Sequence, residues 1–450
     1  MSKDIPNEKE IQELIESAKK PGILAMKSHA YYRGKLATQL KCPVRGMEDF
    51  SIWYSPGVAE PCKAIAASPE MVYELTNIGN TIAVISDGTR VLGLGDIGPQ
   101  ASLPVMEGKS LLFKYLGGID AVPIVLDAKD PDTFIETVLN LQPGFSGVNL
   151  EDIAQPKCFE ILDRLRAAAR IPIWHDDQQG TATVTLAGLM NALEVVGKEK
   201  DQIRLALIGA GAAGVAIARL LFSWGVDPEK TIIVDAGGTL GKYRDDLPVS
   251  SPAWELCQAT NPEQIQGGIP EAMAGADVVI AYSAPGPGTI QAEWIKTMAS
   301  DPIVFACANP IPEIWPWEAK AAGAAVVATG RSDFPNQVNN SLCFPAIFRG
   351  TLDVRATTIS DEMCFAAAGA LADWGKADLD AEHILPLMTE MAIYPLQAAA
   401  VGIQAQKQGL ARVQMSYEQL INHAEIIIAA AQAATDVLME SGSIPPFPED

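Results

Sequence analysis

The stretch QIRLALIGAGAAGVAIARLLFSWG, residues 202–225, predicts the core of a nucleotide-binding β-α unit. Its apolar run LALI is typical of a buried strand, and the glycine-rich segment after it leads directly into an apolar helical pattern. The spacing is Gly-x-Gly-x-x-Gly, in which glycines allow a tight turn and let a pyrophosphate approach the helix N-terminus. The turn residues predicted to contact a dinucleotide are Gly209, Gly211, Ala212, Ala213 and Gly214.

An acid at the end of the next apolar run completes this pattern. Asp235 closes TIIVD, 21 residues after Gly214, where a carboxylate accepts hydrogen bonds from the adenosine ribose. It would repel the 2′-phosphate of NADP, and residues 236–238 (Ala-Gly-Gly) bring no cation, so the pattern favours NAD. Lys242 and Arg244 follow closely, so NADP stays possible. The alternative is a glycine-rich turn in a Rossmann-like domain that binds no dinucleotide.

The rest of the chain alternates strand and helix patterns, which indicates an α/β protein with mostly parallel sheets. We predict an N-terminal α/β domain over residues 1–175 and a Rossmann-type domain with C-terminal helices over residues 176–450. A polar helix is predicted over residues 8–19, a glycine-broken strand over 91–98 and surface loops over 251–270. Other strands are predicted at 81–88, 121–127, 147–153, 171–174, 231–238, 276–286, 302–310 and 324–330, and other helices at 109–119, 132–142, 156–169, 182–197, 360–374, 383–405 and 417–440.

The composition argues against several classes of protein. The 450 residues carry 33 Lys and Arg against 55 Asp and Glu, a net charge of −22, whereas nucleic acids and anionic membranes need a basic surface. No apolar run reaches the ~18 residues of a membrane span, and the charged N-terminus lacks the apolar core of a signal peptide. Seven widely spaced cysteines without a C-x-x-C fit reduced thiols in the cytoplasm.

Several acids follow the predicted strands directly. Glu151 and Asp152 follow GVNL, Asp176 and Asp177 follow IPIW, and Asp96 follows VLGL. In an α/β sheet, ligands collect beyond the carboxyl ends of the strands, and converging acids there need a cation, for which oxygen-only ligation favours Mg²⁺ or Mn²⁺. The two acids after GVNL can share a metal only if the backbone turns there, because neighbouring strand residues point to opposite faces. For each acid alone, a helix cap or a solvated loop carboxylate is the alternative.

Three further residues are candidates for substrate chemistry. Tyr54 in WYSPGVAEPC and Lys109 in MEGKSLLFK are possible acid–base groups, and Arg90 can bind a carboxylate through two N–H groups. The alternatives are a buried tyrosine with a satisfied hydroxyl, a lysine in the first turn of a helix and a surface arginine. The histidines share no ligand spacing and are interpreted as structural: His29, His175, His383 and His423.

Taken together, these motifs resemble malic enzymes of the compact bacterial and archaeal type, over roughly residues 30–440. The resemblance implies metal-dependent oxidative decarboxylation of (S)-malate to pyruvate and CO₂ with reduction of NAD(P)⁺. The stretches that carry it are YSPGVAEPC (54–62), SDGTRVLGLGDIGPQASLPVMEGKSLLFKYLGGIDAVPIVLD (86–127), VNLEDI (148–153), HDDQQGTA (175–182), LIGAGAAG (207–214), ANP (308–310) and QVNNSLCFP (337–345).

The resemblance also implies a role for individual residues. Lys109 matches the general base, Tyr54 the general acid and Arg90 the arginine that holds a malate carboxylate. Asn309 and Asn340 match asparagines near the substrate and the nicotinamide. The metal ligands are Glu151, Asp152 and Asp177, and the cofactor contacts add Asp235, Asn309 and Asn339 to the glycine-rich turn. Asp176 is interpreted either as support for the metal ligands or as a cap of the following helix.

Family members of this size are usually homodimers in which an N-terminal segment completes the neighbour's active site, so we expect a dimer. Three alternatives to a malic enzyme stay open. One is a malolactic conversion of malate to lactate, the second is a metal-independent Rossmann dehydrogenase of a hydroxy or amino acid, and the third is a non-catalytic NAD-binding protein. The combination of Tyr54, Lys109 and three acids of metal-binding type counts against the third.

Overall fold

The computed structural model describes residues 9, 12–13 and 20–448, so the polar helix predicted over residues 8–19 lies almost wholly outside the described residues. The described chain begins with a helical segment that precedes the first strand. Its helices are α1 (Lys20–Tyr32), α2 (Met47–Trp53), α3 (Ala59–Ala67) and α4 (Val72–Leu75).

The first sheet is parallel, and helices connect its successive strands as in other α/β folds. Its strands are β1 (Thr81–Ser86), β2 (Asp120–Val125), β3 (Val148–Leu150) and β4 (Ile173–His175), and its connecting helices are α5 (Pro99–Gly117), α6 (Pro131–Leu141) and α7 (Lys157–Ala168). The strand order is β2-β1-β3-β4, with parallel pairing throughout. The carboxyl ends of β3 and β4 are therefore neighbours.

The second sheet has the doubly wound order expected of a dinucleotide-binding domain. Its strands are β5 (Leu205–Ile208), β6 (Thr231–Asp235), β7 (Gly238–Thr239), β8 (Val278–Ala281), β9 (Ile303–Ala306) and β10 (Val326–Thr329). The order is β10-β9-β8-β5-β6-β7, parallel except for β7. The chain leaves β5 towards β6 and returns on its other side with β8, so the crevice used by ligands lies at the carboxyl end of β5.

The remaining helices connect the two sheets, flank the second sheet or follow it along the chain. They are α8 (Thr181–Val196), α9 (Ala212–Trp224), α10 (Pro252–Ala259), α11 (Ile269–Met273), α12 (Ala292–Ile295), α13 (Pro316–Ala321), α14 (Phe344–Asp353), α15 (Asp361–Trp374), α16 (Ile393–Lys407) and α17 (Tyr417–Glu440). Every residue of β5, β8, β9 and β10 is buried, as in parallel sheets covered on both faces. Within the described ranges, no helix has the length and apolar character needed to cross a bilayer.

The C-terminal helices also contact the first half of the chain. The Phe113 ring of α5 packs edge-on against Phe344 and Phe348 of α14, with ring centres 4.6 and 5.1 Å apart. Phe348 also reaches Trp174 of β4. These aromatic contacts fix α14, and the loop before it, against the edge where β3 and β4 end.

The α/β class with a Rossmann-type parallel sheet is confirmed, but two local predictions are wrong. Residues 91–98 form tight turns instead of a strand, because Leu92 and Gly95 adopt positive φ angles of 47° and 79°, and the Val91 N–H donates back to the Gly95 carbonyl. Residues 251–270 include α10 and α11 instead of loops alone. The Ser251 side chain accepts the Trp254 N–H and begins α10.

Two helix starts also differ from the sequence prediction. The helix predicted over 109–119 begins at Pro99, because Gly98 takes a positive φ of 84° and Pro99 suits the first helical position. The helix predicted over 383–405 begins only at Ile393. Pro386 disfavours helical backbone in the residue before it, so the apolar pattern starts in turns.

Candidate active site

Three carboxylates meet at the carboxyl edge of the first sheet. Glu151 and Asp152 follow β3, Asp177 follows β4, and one oxygen from each lies within 4.8 Å of the others. The first two are buried, and the Asp177 side chain is 36% exposed. The structure thus brings together the three acids predicted as metal ligands. Asp96 stays outside this cluster and pairs with Lys129 at 2.6 Å.

The backbone turns at the point where sharing a metal requires it. Asp152 has a positive φ of 55°, which breaks the alternation of a strand and lets its side chain join that of Glu151. The Asp152 N–H donates to Asp177 Oδ2 at 2.8 Å, and the Asp152 carbonyl accepts the Arg90 N–H at 3.0 Å. The cluster is therefore held by backbone bonds from two strand ends and the turn after β1.

The donor set fits a hard divalent cation. Asp152 Oδ2 is buried and has no hydrogen-bond partner in the described part of the chain. Burial, followed by the charge of Asp177, raises the pKa of Asp152 to about 7. Burial is also the main reason that the pKa of Glu151 lies well above its usual value. A bound cation would stabilise the ionised forms of Glu151 and Asp152, and an oxygen-only set of ligands suits Mg²⁺ or Mn²⁺.

Lys109 places its ammonium group against the same cluster. Its Nζ lies 2.7 Å from Asp176 Oδ2 and 3.1 Å from Glu151 Oε1, and its side chain is 12% exposed. Burial alone lowers the pKa of Lys109, but the negative charges of Asp176 and Glu151 outweigh burial and raise it. The residue lies in the middle of α5, so the alternative of a first-turn lysine is wrong.

Asp176 is completely buried and holds Lys109 in place. Its Oδ2 accepts from Lys109 Nζ and, at 3.0 Å, from Asn340 Nδ2, while its Oδ1 accepts from Trp174 Nε1 at 3.1 Å. The side chain caps neither the π-helical segment Asp176–Gly180 nor α8. Of the two interpretations of Asp176, capping is therefore wrong, and support for the neighbouring site fits the contacts.

Two of the predicted substrate residues are less enclosed. Tyr54 directly follows α2 with 73% of its surface exposed, and no hydrogen bond to its hydroxyl occurs among residues 20–448. A single chain therefore does not bring Tyr54 to Lys109, and the alternative of a buried tyrosine is wrong. Arg90 is exposed beside the acid cluster, where its guanidinium donates to the Leu92 carbonyl at 2.5 Å.

The glycine-rich turn has the predicted geometry. Gly209 has a φ of 109°, and a side chain there would come within 2.6 Å of the Tyr282 carbonyl. At Gly214, a side chain would come within 1.8 Å of the Gly209 carbonyl. A side chain on Gly211, directly before α9, would come no closer than 3.9 Å to the surrounding described residues, which leaves room at the helix N-terminus for a pyrophosphate.

Asp235 is engaged in a way that the sequence did not predict. Arg244 binds both of its oxygens, with Nη1 2.8 Å from Oδ1 and Nη2 3.0 Å from Oδ2. The same guanidinium binds Asp246 from its other edge, at 2.6 and 2.8 Å. The short hairpin between β6 and β7 makes this contact possible, because it folds the following chain back onto Asp235.

The predicted asparagines take different positions. Asn340 binds Asp176 and, at 3.1 Å, Thr181 Oγ1, so it belongs to the Lys109 network. Asn339 accepts the Ser341 N–H and hydroxyl and so stabilises the turn before α14. Asn309 follows β9 and is exposed. Its amide packs against Gly330, where a side chain would come within 2.8 Å of Asn309 Nδ2.

Glu313 is a buried residue beyond the carboxyl ends of β8 and β9 that sequence reasoning missed. Its carboxylate accepts the Ser283 N–H and hydroxyl at 2.8 and 3.0 Å and the Ala308 N–H at 3.0 Å. It thereby joins the loops that follow β8 and β9, directly before Asn309. Burial raises the pKa of Glu313. Its place as a single acid in the mostly apolar segment IPEIWP, residues 311–316, gave no specific signal of this role.

The fold and the site together define a two-sheet, dinucleotide-dependent oxidoreductase with an acidic centre at the edge of the first sheet. Residues 33–166 match the family model for the malic enzyme N-terminal domain, and residues 178–406 match the model for the malic enzyme NAD-binding domain. The chain belongs to the malic enzyme family.

Individual relatives agree with this assignment. A bifunctional malic/malolactic enzyme of Bacillus subtilis (strain 168) is 48% identical over 88% of this chain and 96% of its own length. An NAD-dependent malic enzyme of Geobacillus stearothermophilus is 50% identical over 84% of this chain and 78% of its own length. The crystal structure of the Entamoeba histolytica malic enzyme has a TM-score of 0.93 at 47% identity, covering 97% of this chain and 92% of that one. Relatives also include an enzyme named NADP-dependent.

Proposed function

We propose that this chain catalyses the oxidative decarboxylation of (S)-malate to pyruvate and CO₂, with reduction of NAD(P)⁺ and with Mg²⁺ or Mn²⁺. The observation that carries the proposal is the position of Lys109, whose ammonium group bridges Asp176 and Glu151 beside the three-acid cluster. A buried lysine next to acids of metal-binding type suits the removal of a hydroxyl proton from an anionic substrate.

Glu151, Asp152 and Asp177 would hold the metal ion, which when bound acts as a Lewis acid that stabilises negative charge on the substrate oxygens. Lys109 takes the proton of the malate C2 hydroxyl. Once the charge on the neighbouring acids is compensated, burial favours the neutral amine. Asp176 fixes the position of Nζ, so that the amine faces the substrate in one orientation.

The remaining residues orient substrate and cofactor. Arg90 binds a malate carboxylate, since its guanidinium is exposed to solvent beside the acids. Asn340 and Asn309 stand on the loops between the acid cluster and the second sheet, where the substrate and the nicotinamide would meet. The pyrophosphate occupies the turn at Gly211, and the adenosine ribose lies near Asp235. We retain domains at residues 1–175, which contain the first sheet, and 176–450, which contain the second.

The same proposal includes NAD as the preferred dinucleotide and the cytoplasm as the compartment. Asp235 disfavours a 2′-phosphate, and the relative from Geobacillus stearothermophilus is named NAD-dependent. All seven cysteines are free thiols in the structure, and five of them are buried, which fits a reducing compartment.

Turnover with malate tests the central proposal. We expect formation of NADH, and to a smaller extent NADPH, from (S)-malate in the presence of Mn²⁺, with pyruvate and CO₂ as products and loss of activity with EDTA. If malate yields neither reduced cofactor at any metal concentration, the proposal is wrong. Activity that survives complete chelation would instead favour a metal-independent dehydrogenase.

A homodimer would complete this site with Tyr54 as the general acid that protonates C3. Large apolar side chains of the N-terminal helices are exposed in the single chain, as expected if a second copy covers them. They include Ile23, Leu24, Met26, Met47, Phe50, Ile52 and Trp53. Because Tyr54 lies among them, it is well placed to enter the partner's site.

Complementation tests this arrangement directly. Tyr54→Phe and Lys109→Ala chains are each expected to be nearly inactive alone. When the two are co-expressed, half of the dimers are mixed and each has one intact site, so about a quarter of the wild-type activity should return. No recovery in mixed dimers would mean that Tyr54 acts within its own chain or not at all.

A malolactic reaction is the second candidate, because the relative from Bacillus subtilis carries both activities in its name. It would convert malate to lactate without net formation of NADH. Product analysis separates the two candidates, since lactate and pyruvate are distinguished by chromatography. Lactate as the main product would replace the oxidative proposal.

A further inference from the structure

The guanidinium of Arg244 uses all of its N–H groups within the protein. Nε and Nη2 donate to Asp246, Nη1 and Nη2 donate to Asp235, and Nη1 also donates to the Gly238 carbonyl at 3.4 Å. An arginine has five such donors in a fixed planar arrangement, so none is left for a ligand. The side chain is only 7% exposed.

This arrangement lies directly at the turn that receives the adenosine ribose. A side chain on Gly237 would come within 2.7 Å of Arg244 Nη2, so the guanidinium rests against the backbone of the turn after Asp235. Asp235 Oδ1 accepts from both Arg244 and the Gly237 N–H, whereas Oδ2 accepts from Arg244 alone. One lone pair of Oδ2 therefore stays available for a ribose hydroxyl.

We propose that Asp246 determines the preference for NAD over NADP by holding Arg244 closed on Asp235. The inference rests on the proposed function only in that it concerns the dinucleotide of that reaction. With Asp246 in place, the three charged groups carry one net negative charge, and a 2′-phosphate meets a carboxylate and a saturated guanidinium. Asp246 is a positioning residue, because it acts through Arg244. Its own side chain is 55% exposed to solvent.

Removing Asp246 changes both the charge and the donors at this turn. In Asp246→Ala, Nε–H and one Nη2–H of Arg244 lose their acceptor, and the net charge of the group becomes zero. The freed edge of the guanidinium then matches a phosphate, which arginine binds through two parallel hydrogen bonds. The Asp235 carboxylate and its contact to NAD remain. The variant should therefore gain affinity for NADP without losing NAD.

The experiment compares Asp246→Ala with Asp245→Ala, a matched control. Asp245 is the adjacent exposed acid, and among the described residues it makes no hydrogen bond or ion pair with Arg244. We expect the ratio of kcat/KM for NADP to that for NAD to rise about tenfold in Asp246→Ala, or about 1.4 kcal/mol, with no change in Asp245→Ala. Asp246→Asn, which keeps one acceptor oxygen, should give a smaller rise.

Dissociation constants of NADH and NADPH, measured by fluorescence, give the same ratio without turnover. Adding Arg244→Ala to Asp246→Ala should abolish the gain. The inference is overturned if Asp246→Ala and Asp245→Ala give the same ratio, or if the gain persists without Arg244. Absence of malate oxidation with intact binding of both nucleotides would refute the proposed function and leave this inference standing.

Discussion

Replacing Lys109 by methionine separates its proton-transfer role from its structural one. Methionine keeps an apolar stem near Phe344 but removes the ammonium group that lies 2.7 Å from Asp176 and 3.1 Å from Glu151. Breaking a buried ion pair by removing one partner costs about 3–5 kcal/mol, and Asp176 is fully buried, so little solvent replaces the lost charge. Loss of a positioned acid–base group should slow malate oxidation by about 10²–10⁴.

Two further variants distinguish the causes. Lys198 pairs with Asp277 at the same distance of 2.7 Å and with similarly low exposure, but at the amino end of β8, away from the site. Lys198→Met should therefore destabilise the fold without lowering kcat. Lys109→Arg keeps the positive charge and should recover stability, but not turnover, because a guanidinium does not release its proton near neutral pH.

The assays are kcat and KM for malate, the free energy of unfolding in urea, and the dissociation constant of NADH. The last should stay unchanged in every Lys109 variant, since the glycine-rich turn and Asp235 belong to the other sheet. Wild-type kcat in Lys109→Arg would refute proton transfer by Lys109. A loss of NADH affinity in parallel with kcat would mean that Lys109 only supports the fold.

Three other perturbations probe the acid cluster and the loops after β8 and β9. Mn²⁺ at about 100 times its dissociation constant should raise the free energy of unfolding by about 2.7 kcal/mol in the wild type. The same increase is expected in Asp96→Asn but not in Asp177→Asn. Equal stabilisation of all three proteins would refute the metal assignment. Without metal, the pKa of Asp152 in the folded protein is about 7, against an ordinary value of 3.8. The protonated carboxyl therefore favours the folded state, and this contribution to stability is lost as the pH rises from 3.8 to about 7. Mn²⁺ must displace this proton, so its affinity should rise with pH up to about 7 and calorimetry should detect proton release; a pH-independent affinity would contradict this. Glu313→Gln leaves one acceptor oxygen for three donors. It should raise KM for NAD about tenfold or more, since hydrogen bonds to charged groups contribute about 1.5–3 kcal/mol. An unchanged KM would mean that Glu313 does not position Asn309.

The parts of the site that sequence predicted depend on local rules. The glycine-rich turn is fixed by sterics within a few residues, because Gly214 must let α9 pass the Gly209 carbonyl. The acids at 151, 152 and 177 follow strands whose ends meet wherever a parallel sheet forms. In both cases the chemistry follows from neighbours in the chain and from one general property of α/β sheets.

The parts that sequence missed depend on partners distant in the chain or on a backbone turn. Asp176 is saturated by Lys109, 67 residues away, and by Asn340, 164 residues away, and no periodicity encodes those contacts. Arg244 reaches Asp235 only because Gly238, with a φ of 109°, allows the hairpin between β6 and β7. The strand predicted over residues 91–98 is wrong for a different reason. Its leucines gave the apolar pattern of a buried strand, but in the structure they are exposed.

The hydrogen bonds of the adjacent acids Asp176 and Asp177 distinguish two residues that strand position alone leaves equivalent. Asp176 receives donors from a lysine, an asparagine and a tryptophan and has no exposed surface, so it has little capacity for a ligand. Asp177 is partly exposed, and a single backbone N–H binds its Oδ2, so it keeps lone pairs directed at the cluster. Four carboxylates and one ammonium group thus share this edge of the first sheet. The three acids that lack a full set of hydrogen-bond donors carry the negative charge that the ammonium group does not compensate. We therefore expect the cation affinity of the site to reside in those three, with Asp176 holding the lysine in position.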